Sequence, residues 1–441
     1  MGEVDQSFIQ AVEHRPKLTF TEAQGIPLID LSISDTQLVV SQIGHACENW
    51  GFFQVINHGV PVKLREKLES ASRSFFAQPK EEKLKVKRDE LNPFGYYDTE
   101  HTKNVRDWKE VFDCTVENPT ILPASPDPDD KELITLVNYW PENPKNFREA
   151  CEEYAQEMTR LSFKLIELLA LSLSLEANRF NEFFKESTSR LRLNYYPPCP
   201  VPDLVLGVGQ HKDAGGLTIL YQDSVGGLEV RQKSDGEWIR VKPTPNAYII
   251  NVGDAIQVWS NDKYESAEHR AMVNPAKERY SIPFFFDPAH STTVKPLHEL
   301  TKEITGSGTN GLRRIVCWLT RTRQGQKRDK QEGCKQLEAE PGPSHLQPTG
   351  WLKISTDATC IPGSDQVGVG CVIRNDRGEF IGAPSSIVQG RMQPNEAEAM
   401  GLKEALTWRH SKCKCIFECD AKLVVDAITG GLRQQLFSYD Y

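Results

Sequence analysis

His211-Lys-Asp213 is the one H-x-D triplet in a chain of 441 residues with ten histidines. An imidazole and a carboxylate two residues apart lie on one face of a strand, or at its end, and can reach one metal ion. Alone the triplet is weak, because ten histidines make one such match easy by chance. A second imidazole, His269, follows from a later strand-like segment; read singly it is an ordinary core or surface histidine. Together His211, Asp213 and His269 make a 2-His-1-carboxylate set, which leaves three positions open on Fe(II). A 2-oxo acid can fill two of them as a chelate and O2 the third. Beyond His269, Arg279-Tyr-Ser281 puts a guanidinium and a hydroxyl on one strand face. That pair offers a bidentate contact and a third hydrogen bond to the distal carboxylate of 2-oxoglutarate.

Short strands must carry these groups. Leu191–Tyr196, Leu217–Tyr221, Leu228–Gln232, Trp238–Val241, Tyr248–Asn251 and Tyr280–Phe286 are β-like runs broken by Pro, Gly and Asp, which predicts a sandwich, barrel or jelly roll. Helical patterns precede them, so the unit reads as α+β. Pro61 to Arg88 reads as helical, and Phe94-Gly-Tyr-Tyr97 as an irregular connection. From Phe147 to Leu175, Tyr154, Met158, Leu161, Leu165 and Leu168 recur at helical spacing, an apolar stripe that predicts core packing rather than a cofactor role.

Trp50-Gly-Phe-Phe-Gln-Val-Ile-Asn-His-Gly59, Asn194-Tyr-Tyr-Pro-Pro-Cys-Pro200, His211-Lys-Asp213, Asn251-Val-Gly-Asp254, Ser260-Asn261, His269-Arg270 and Arg279-Tyr-Ser281 stand in this order. The region from about residue 1 to about 300 thereby resembles the plant Fe(II)/2-oxoglutarate-dependent dioxygenases related to flavonol synthase and anthocyanidin synthase. The resemblance implies a double-stranded β-helix, or jelly roll, with a helical N-terminal part. It implies that Asn194 and Tyr196 help hold 2-oxoglutarate, that Phe285 packs on an aromatic substrate, and that His58 is structural. It also implies Fe(II), 2-oxoglutarate and O2 as cofactors, ascorbate as reductant, and decarboxylation of 2-oxoglutarate to succinate. The coupled reaction would hydroxylate or desaturate a small flavonoid-like or hormone-like plant metabolite. Relatives continue past the R-x-S strand with helices that cover the barrel mouth, whereas here the resemblance fades after His298-Glu-Leu-Thr301.

Asp357, Glu398 and Asp420 sit on three further predicted elements, and three acids can hold a pair of Mg2+ ions for phosphodiester hydrolysis. By spacing alone they read as solvated acids. Gly368-Val-Gly-Cys-Val-Ile-Arg-Asn-Asp-Arg-Gly378, Ala397-Glu-Ala-Met-Gly-Leu and Glu418-Cys-Asp-Ala-Lys-Leu-Val-Val-Asp-Ala-Ile428 carry a resemblance to the ribonuclease H-type domain of plant retroelements. It covers Trp351 to Gly430. The sequence ends at Tyr441 before the further strand and fourth acid that this fold implies, so a truncated α/β domain with no nuclease activity is expected. The predicted organisation is an N-terminal dioxygenase region over 1–185, mostly helical, and a jelly roll over 186–300. A linker over 301–350, a partial ribonuclease H-like domain over 351–432 and a tail over 433–441 follow. The linker holds eight Lys or Arg against two acids over 312–335. An alternative function is therefore a chimeric chain with impaired catalysis that binds nucleic acid or cleaves RNA–DNA hybrids through its C-terminal part.

A net charge of −9 argues against bulk attraction to nucleic acid or anionic membranes. The polar start predicts no export signal, Gln6 argues against myristoylation, and no apolar run is long enough to span a bilayer. The expectation is a cytoplasmic or nuclear monomer acting on a small molecule. None of the eleven cysteines forms a C-x-x-C pair, and the Cys413, Cys415 and Cys419 cluster lacks metal-ligand spacing, so reduced thiols are expected.

Overall fold

A computed structural model describes residues 4–16, 21–22, 26–89, 92–103, 105–123 and 133–301, together with five strands between Trp351 and Glu418. The chain divides into two units, the first reaching Glu299 and the second carrying those five strands. Among the described residues, no helix is long and apolar enough to cross a membrane.

Twelve principal strands build the first unit. The N-terminal four are β1 (Leu28–Asp30), β2 (Phe52–Ile56), β3 (Gly95–Tyr97) and β4 (Glu110–Thr115). Next come β5 (Arg190–Tyr196), β6 (Leu206–His211), β7 (Leu217–Gln222) and β8 (Leu228–Arg231). The last are β9 (Trp238–Arg240), β10 (Tyr248–Val252), β11 (His269–Met272) and β12 (Arg279–Phe286). The larger sheet runs β1-β2-β10-β7-β12-β5-β4-β3, and the smaller runs β9-β8-β11-β6, with Thr21–Glu22 added parallel to β9. Phe52 and Ile249 of the larger sheet pack on Leu228 and Val230 of the smaller, which closes the two into a jelly roll. The larger sheet is completed by four strands that precede residue 186, so the N-terminal region is built into the barrel wall.

Helices α1 (Thr36–Asn49), α2 (Val62–Phe76) and α3 (Phe147–Ser172) pack together, and α3 lies against β5, β7 and β12. The Asp35 carboxylate caps α1 by accepting from the Leu38 N–H at 3.1 Å. On α3 the buried stripe is Tyr154, Met158, Leu161, Leu165 and Leu169. Leu168, expected in that stripe, is only half-buried, because a 3.6-residue turn carries the face on to Leu169. The predicted helix over Pro61 to Arg88 is also broken, by Pro79, into α2 and a short turn at Lys80–Leu84. Phe94-Gly-Tyr-Tyr97 is not an irregular connection: β3 pairs with β4, burying Tyr96 and Tyr97. Cys47, Cys114, Cys151 and Cys199 are buried free thiols.

In the second unit, β13 (Trp351–Ile361), β14 (Gln366–Arg374), β15 (Phe380–Gly382), β16 (Ser385–Gln389) and β17 (Lys414–Glu418) form one sheet. β13 pairs antiparallel with β14 and parallel with β17, the pairing of an α/β ribonuclease H-like sheet. Glu398, Asp420 and the basic stretch 312–335 lie outside the described residues.

Gly51 joins α1 to β2 at φ +65°, and a Cβ there would meet the Glu265 carbonyl oxygen at 2.2 Å. Gly51→Ala combines left-handed strain with a backbone clash and is expected to destabilise the chain by about 2–4 kcal/mol. A urea midpoint equal to the parent's would contradict this. Asp287, just past β12, is buried beside Arg190 at 3.4 Å. Burial pushes its carboxyl up to about 7, with Arg190 opposing and Asp213 adding to the rise. Between the usual aspartate value of about 4 and about 7, the folded chain binds a proton that the unfolded chain has released. Stability contributed by that proton is full at low pH and is lost as pH rises to 7. From pH 5 to 8, Asp287→Asn should therefore gain about 1–3 kcal/mol relative to the parent; parallel stability–pH curves would rule it out.

Candidate functional site

His211 ends β6 and His269 begins β11, and antiparallel pairing sets them directly opposite each other. Their rings lie 4.2 Å apart at 52°. The Asp213 Oδ1 atom is 3.6 Å from His211 Nε2 and 3.7 Å from His269 Nε2. All three ligand atoms lie within 4.8 Å of one another, a set that could hold one metal ion.

Each ligand atom is aimed by a bond made elsewhere on the same side chain. His211 Nδ1 donates to the Gly209 carbonyl at 2.9 Å and His269 Nδ1 to the Ala267 carbonyl at 3.2 Å. A carbonyl only accepts, so both protons sit on Nδ1 and both Nε2 lone pairs point inward. Asp213 Oδ2 accepts from Thr218 Oγ1 at 2.6 Å and from Asn251 Nδ2 at 2.8 Å, which leaves Oδ1 for the histidine side. Burial, then the neighbouring His269, lowers His211 to about 4 and keeps it neutral. Burial alone would raise Asp213, but His269, His211, Thr218 and Asn251 outweigh it and hold the carboxyl at about 2. Phe52 and His269 pack edge-to-face with ring centres 5.2 Å apart.

Asn251-Val-Gly-Asp254 clamps the loop after Asp213. The Asp254 N–H donates to the Asp213 carbonyl at 2.8 Å, and Gly253 N–H to the Gly216 carbonyl at 2.8 Å. A Cβ on Gly253 would meet the Gly215 oxygen at 2.2 Å, so the motif's glycine is a close-approach residue.

The larger sheet supplies the second constellation. Asn194 faces Ser281 and Tyr196 faces Arg279 in the β5–β12 ladder. Asn194 Nδ2 donates to Ser281 Oγ at 3.3 Å, and Tyr196 Oη also lies 3.3 Å from it. Arg279 is buried, with its guanidinium 4.6 Å over the Tyr196 ring. Its Nε donates to the Gly226 carbonyl, and Nη2 reaches Gln222 Oε1 at 3.4 Å. Arg279 Nη1 and Asn194 Oδ1 are buried with no hydrogen-bond partner among the described residues. A buried guanidinium N–H without an acceptor is costly, and a ligand carboxylate would satisfy it. Gly207 of β6 lies where a Cβ would be 2.7 Å from the Tyr196 ring, so the two sheets meet beside this pocket.

Phe285 is half-buried, with Arg190 4.2 Å and Arg192 5.7 Å from its ring. It alternates onto the face that carries Arg279 and Ser281. His58 bonds the Asn246 carbonyl from Nε2 at 3.0 Å, away from these groups. Thr218, Gln222 and Gly226 were not foreseen; no spacing in the sequence ties them to Asp213 or Arg279. Asp357 lies in β13 opposite Gly370, while Glu398 and Asp420 lie outside the described residues.

Family comparison agrees with this geometry. The family model for the 2OG-Fe(II) oxygenase superfamily matches residues 187–288, and that for the non-haem dioxygenase in morphine synthesis N-terminal matches 26–143. A model described as reverse transcriptase-like matches 355–438. Protein DMR6-LIKE OXYGENASE 1 of Arabidopsis thaliana is 35% identical over 311 residues, covering 68% of this chain and 84% of the relative. Naringenin,2-oxoglutarate 3-dioxygenase of Matthiola incana is 34% identical, covering 67% and 82%. The crystal structure of JOX2 in complex with 2OG, Fe and JA aligns with a TM-score of 0.58 at 35% identity, covering 68% and 84%. With two sheets, a His-Asp-His cluster and these relatives in agreement, the chain belongs to the 2OG-Fe(II) oxygenase superfamily: it is a plant-type Fe(II)- and 2-oxoglutarate-dependent dioxygenase joined to a ribonuclease H-like, reverse-transcriptase-like segment.

Proposed function

We propose that His211, Asp213 and His269 hold the iron, that Arg279, Ser281, Asn194 and Tyr196 hold 2-oxoglutarate, and that the substrate is a small flavonoid-like or hormone-like metabolite packed on Phe285. The observation that carries the reading is the pairing of two inward Nε2 atoms and one carboxylate oxygen with a buried guanidinium nitrogen that has no acceptor among the described residues. The donor set suits Fe(II), and Arg279 suits a dianionic acid. When bound, iron, 2-oxoglutarate and O2 supply oxidative decarboxylation to succinate and CO2, coupled to hydroxylation or desaturation of a C–H bond.

The chain's own residues bind and orient. Arg279 and Ser281 anchor the distal carboxylate, with Gln222 and the Gly226 carbonyl holding the guanidinium plane in place. Asn194 and Tyr196 hold the Ser281 hydroxyl. Thr218 and Asn251 keep one oxygen of Asp213 occupied, so the other stays aimed at the metal. Phe285 presents a flat apolar surface, backed by Arg190 and suited to an aromatic or cyclic substrate. The naringenin named for one relative, and the JA in the JOX2 complex, support a small cyclic metabolite.

Purified full-length chain given Fe(II), ascorbate and a panel of flavonoids and plant hormones should convert 2-oxoglutarate to succinate. The product should gain one oxygen or lose two hydrogens. His211→Ala should abolish turnover; equal succinate from parent and variant would sink the reading. Arg279→Ala should raise the KM for 2-oxoglutarate about 10–100-fold, the loss of one or two charge-assisted hydrogen bonds. An unchanged KM would remove Arg279 from the site. A nucleic-acid role for the C-terminal unit, with Mg2+ on Asp357, Glu398 and Asp420, would instead show as hybrid binding that falls steeply with salt.

A further inference from the structure

The strand that delivers His211 is irregular just before it. In the β6–β11 ladder, Leu206 faces Met272, Val208 faces Ala271 and His211 faces His269, with the register shifting at both intervals. β6 therefore spends one extra residue between Val208 and His211, the signature of a bulge. A bulge takes backbone groups off the ladder and re-aims the next side chain, which here is an iron ligand.

Something else must fix the bulged peptide. The Gly209 N–H donates to Asp107 Oδ1 at 3.0 Å, and the Gly209 carbonyl accepts from His211 Nδ1 at 2.9 Å. Asp107 is itself held from the far side. Thr102 Oγ1 donates to its Oδ2 at 2.9 Å, and Lys109 Nζ lies 3.3 Å from the same oxygen. The Asp107 side chain is fully buried, and that of Lys109 nearly so, with Glu100 completing the ion cluster at 2.5 Å from Nζ. The segment is tied to the strand a second time, because the Trp108 N–H donates to the Leu206 carbonyl at 3.0 Å. A Cβ on Gly209 would sit 2.8 Å from the Thr102 Cβ, so the bulge fits closely against the residue that orients Asp107.

We propose that Asp107 is a positioning residue for the iron ligand His211, acting through the backbone of Gly209, whose N–H it holds and whose carbonyl takes the His211 proton. This rests on the reading of His211 as a ligand. One carboxylate oxygen fixes the Gly209 N–H; the carbonyl of the same residue, one peptide unit further on, fixes the imidazole proton, and hence the direction of the Nε2 lone pair. A buried carboxylate outside the ligand set thus links the N-terminal region to the metal, as outer partners commonly orient metal-bound histidines.

Co(II) added to metal-free full-length chain is the probe, read by its visible d–d absorption and by titration. The thermal midpoint of each metal-free variant is measured alongside. Asp107→Ala should weaken Co(II) binding about 10–100-fold and change the d–d spectrum of the complex that remains. Asp107→Asn keeps an oxygen for the Gly209 N–H and should lose much less. Thr102→Val removes only the hydroxyl that orients Asp107, should weaken binding in the same direction, and decides the matter if Asp107→Ala does not fold. Parent-like Co(II) affinity and spectrum in both Asp107→Ala and Thr102→Val would overturn the proposal while leaving the iron site intact. Failure of the parent chain to bind Co(II) would overturn the iron-site reading, and this inference with it.

Discussion

Two imidazoles and a carboxylate held within 4.8 Å of one another inside a closed pair of sheets is the constraint around which the rest of the first unit is arranged. Each group resists the arrangement in its own way. A buried carboxylate needs hydrogen bonds, and each imidazole must keep its proton on the nitrogen that faces away. The fold meets these demands with parts of different origin. Ladder register sets His211 opposite His269, backbone carbonyls take the Nδ1 protons, and Thr218 and Asn251 occupy one oxygen of Asp213.

The two sheets divide the chemistry. The smaller sheet presents the two histidines of a cluster that could hold a metal; the larger presents the guanidinium and hydroxyls suited to a dicarboxylic acid. They approach where Gly207 leaves room for the Tyr196 ring. The N-terminal region contributes more than cover, since its four strands complete the larger sheet and Asp107 reaches the peptide beside His211. A partly buried set of opposite charges, Glu100, Lys109, Asp113 and Arg192, ties that region to β5.

What could be read from the sequence follows the range of the interactions. R-x-S is a local pattern fixed by strand alternation, and H-x-D is a local pattern at a strand's end with Asp213 just beyond it, so His211, Asp213, Arg279 and Ser281 stood out. Asn251 and Gly253 were visible as a motif, but not as a carboxylate donor and a close-approach glycine. Gln222 and Asp107 were not legible, because their partners lie across a sheet or far along the chain, and Thr218 was not because its bond to Asp213, five residues back, depends on the turn between them. Local pattern also misplaced Leu168 in the α3 stripe, and Gly95 hid a strand that pairing with β4 creates. In the second unit, the ribonuclease H-type resemblance over Trp351 to Gly430 matches a sheet of five described strands, Trp351 to Glu418.

The most direct test of the central account is anaerobic addition of Fe(II) and then 2-oxoglutarate to the metal-free chain, watching for the visible charge-transfer absorption of a 2-oxo acid chelated to ferrous iron. The account predicts that the band appears only with both present, saturates at one equivalent of iron, and is lost in Asp213→Ala. No band at saturating Fe(II) and 2-oxoglutarate, or an undiminished band in Asp213→Ala, would contradict it.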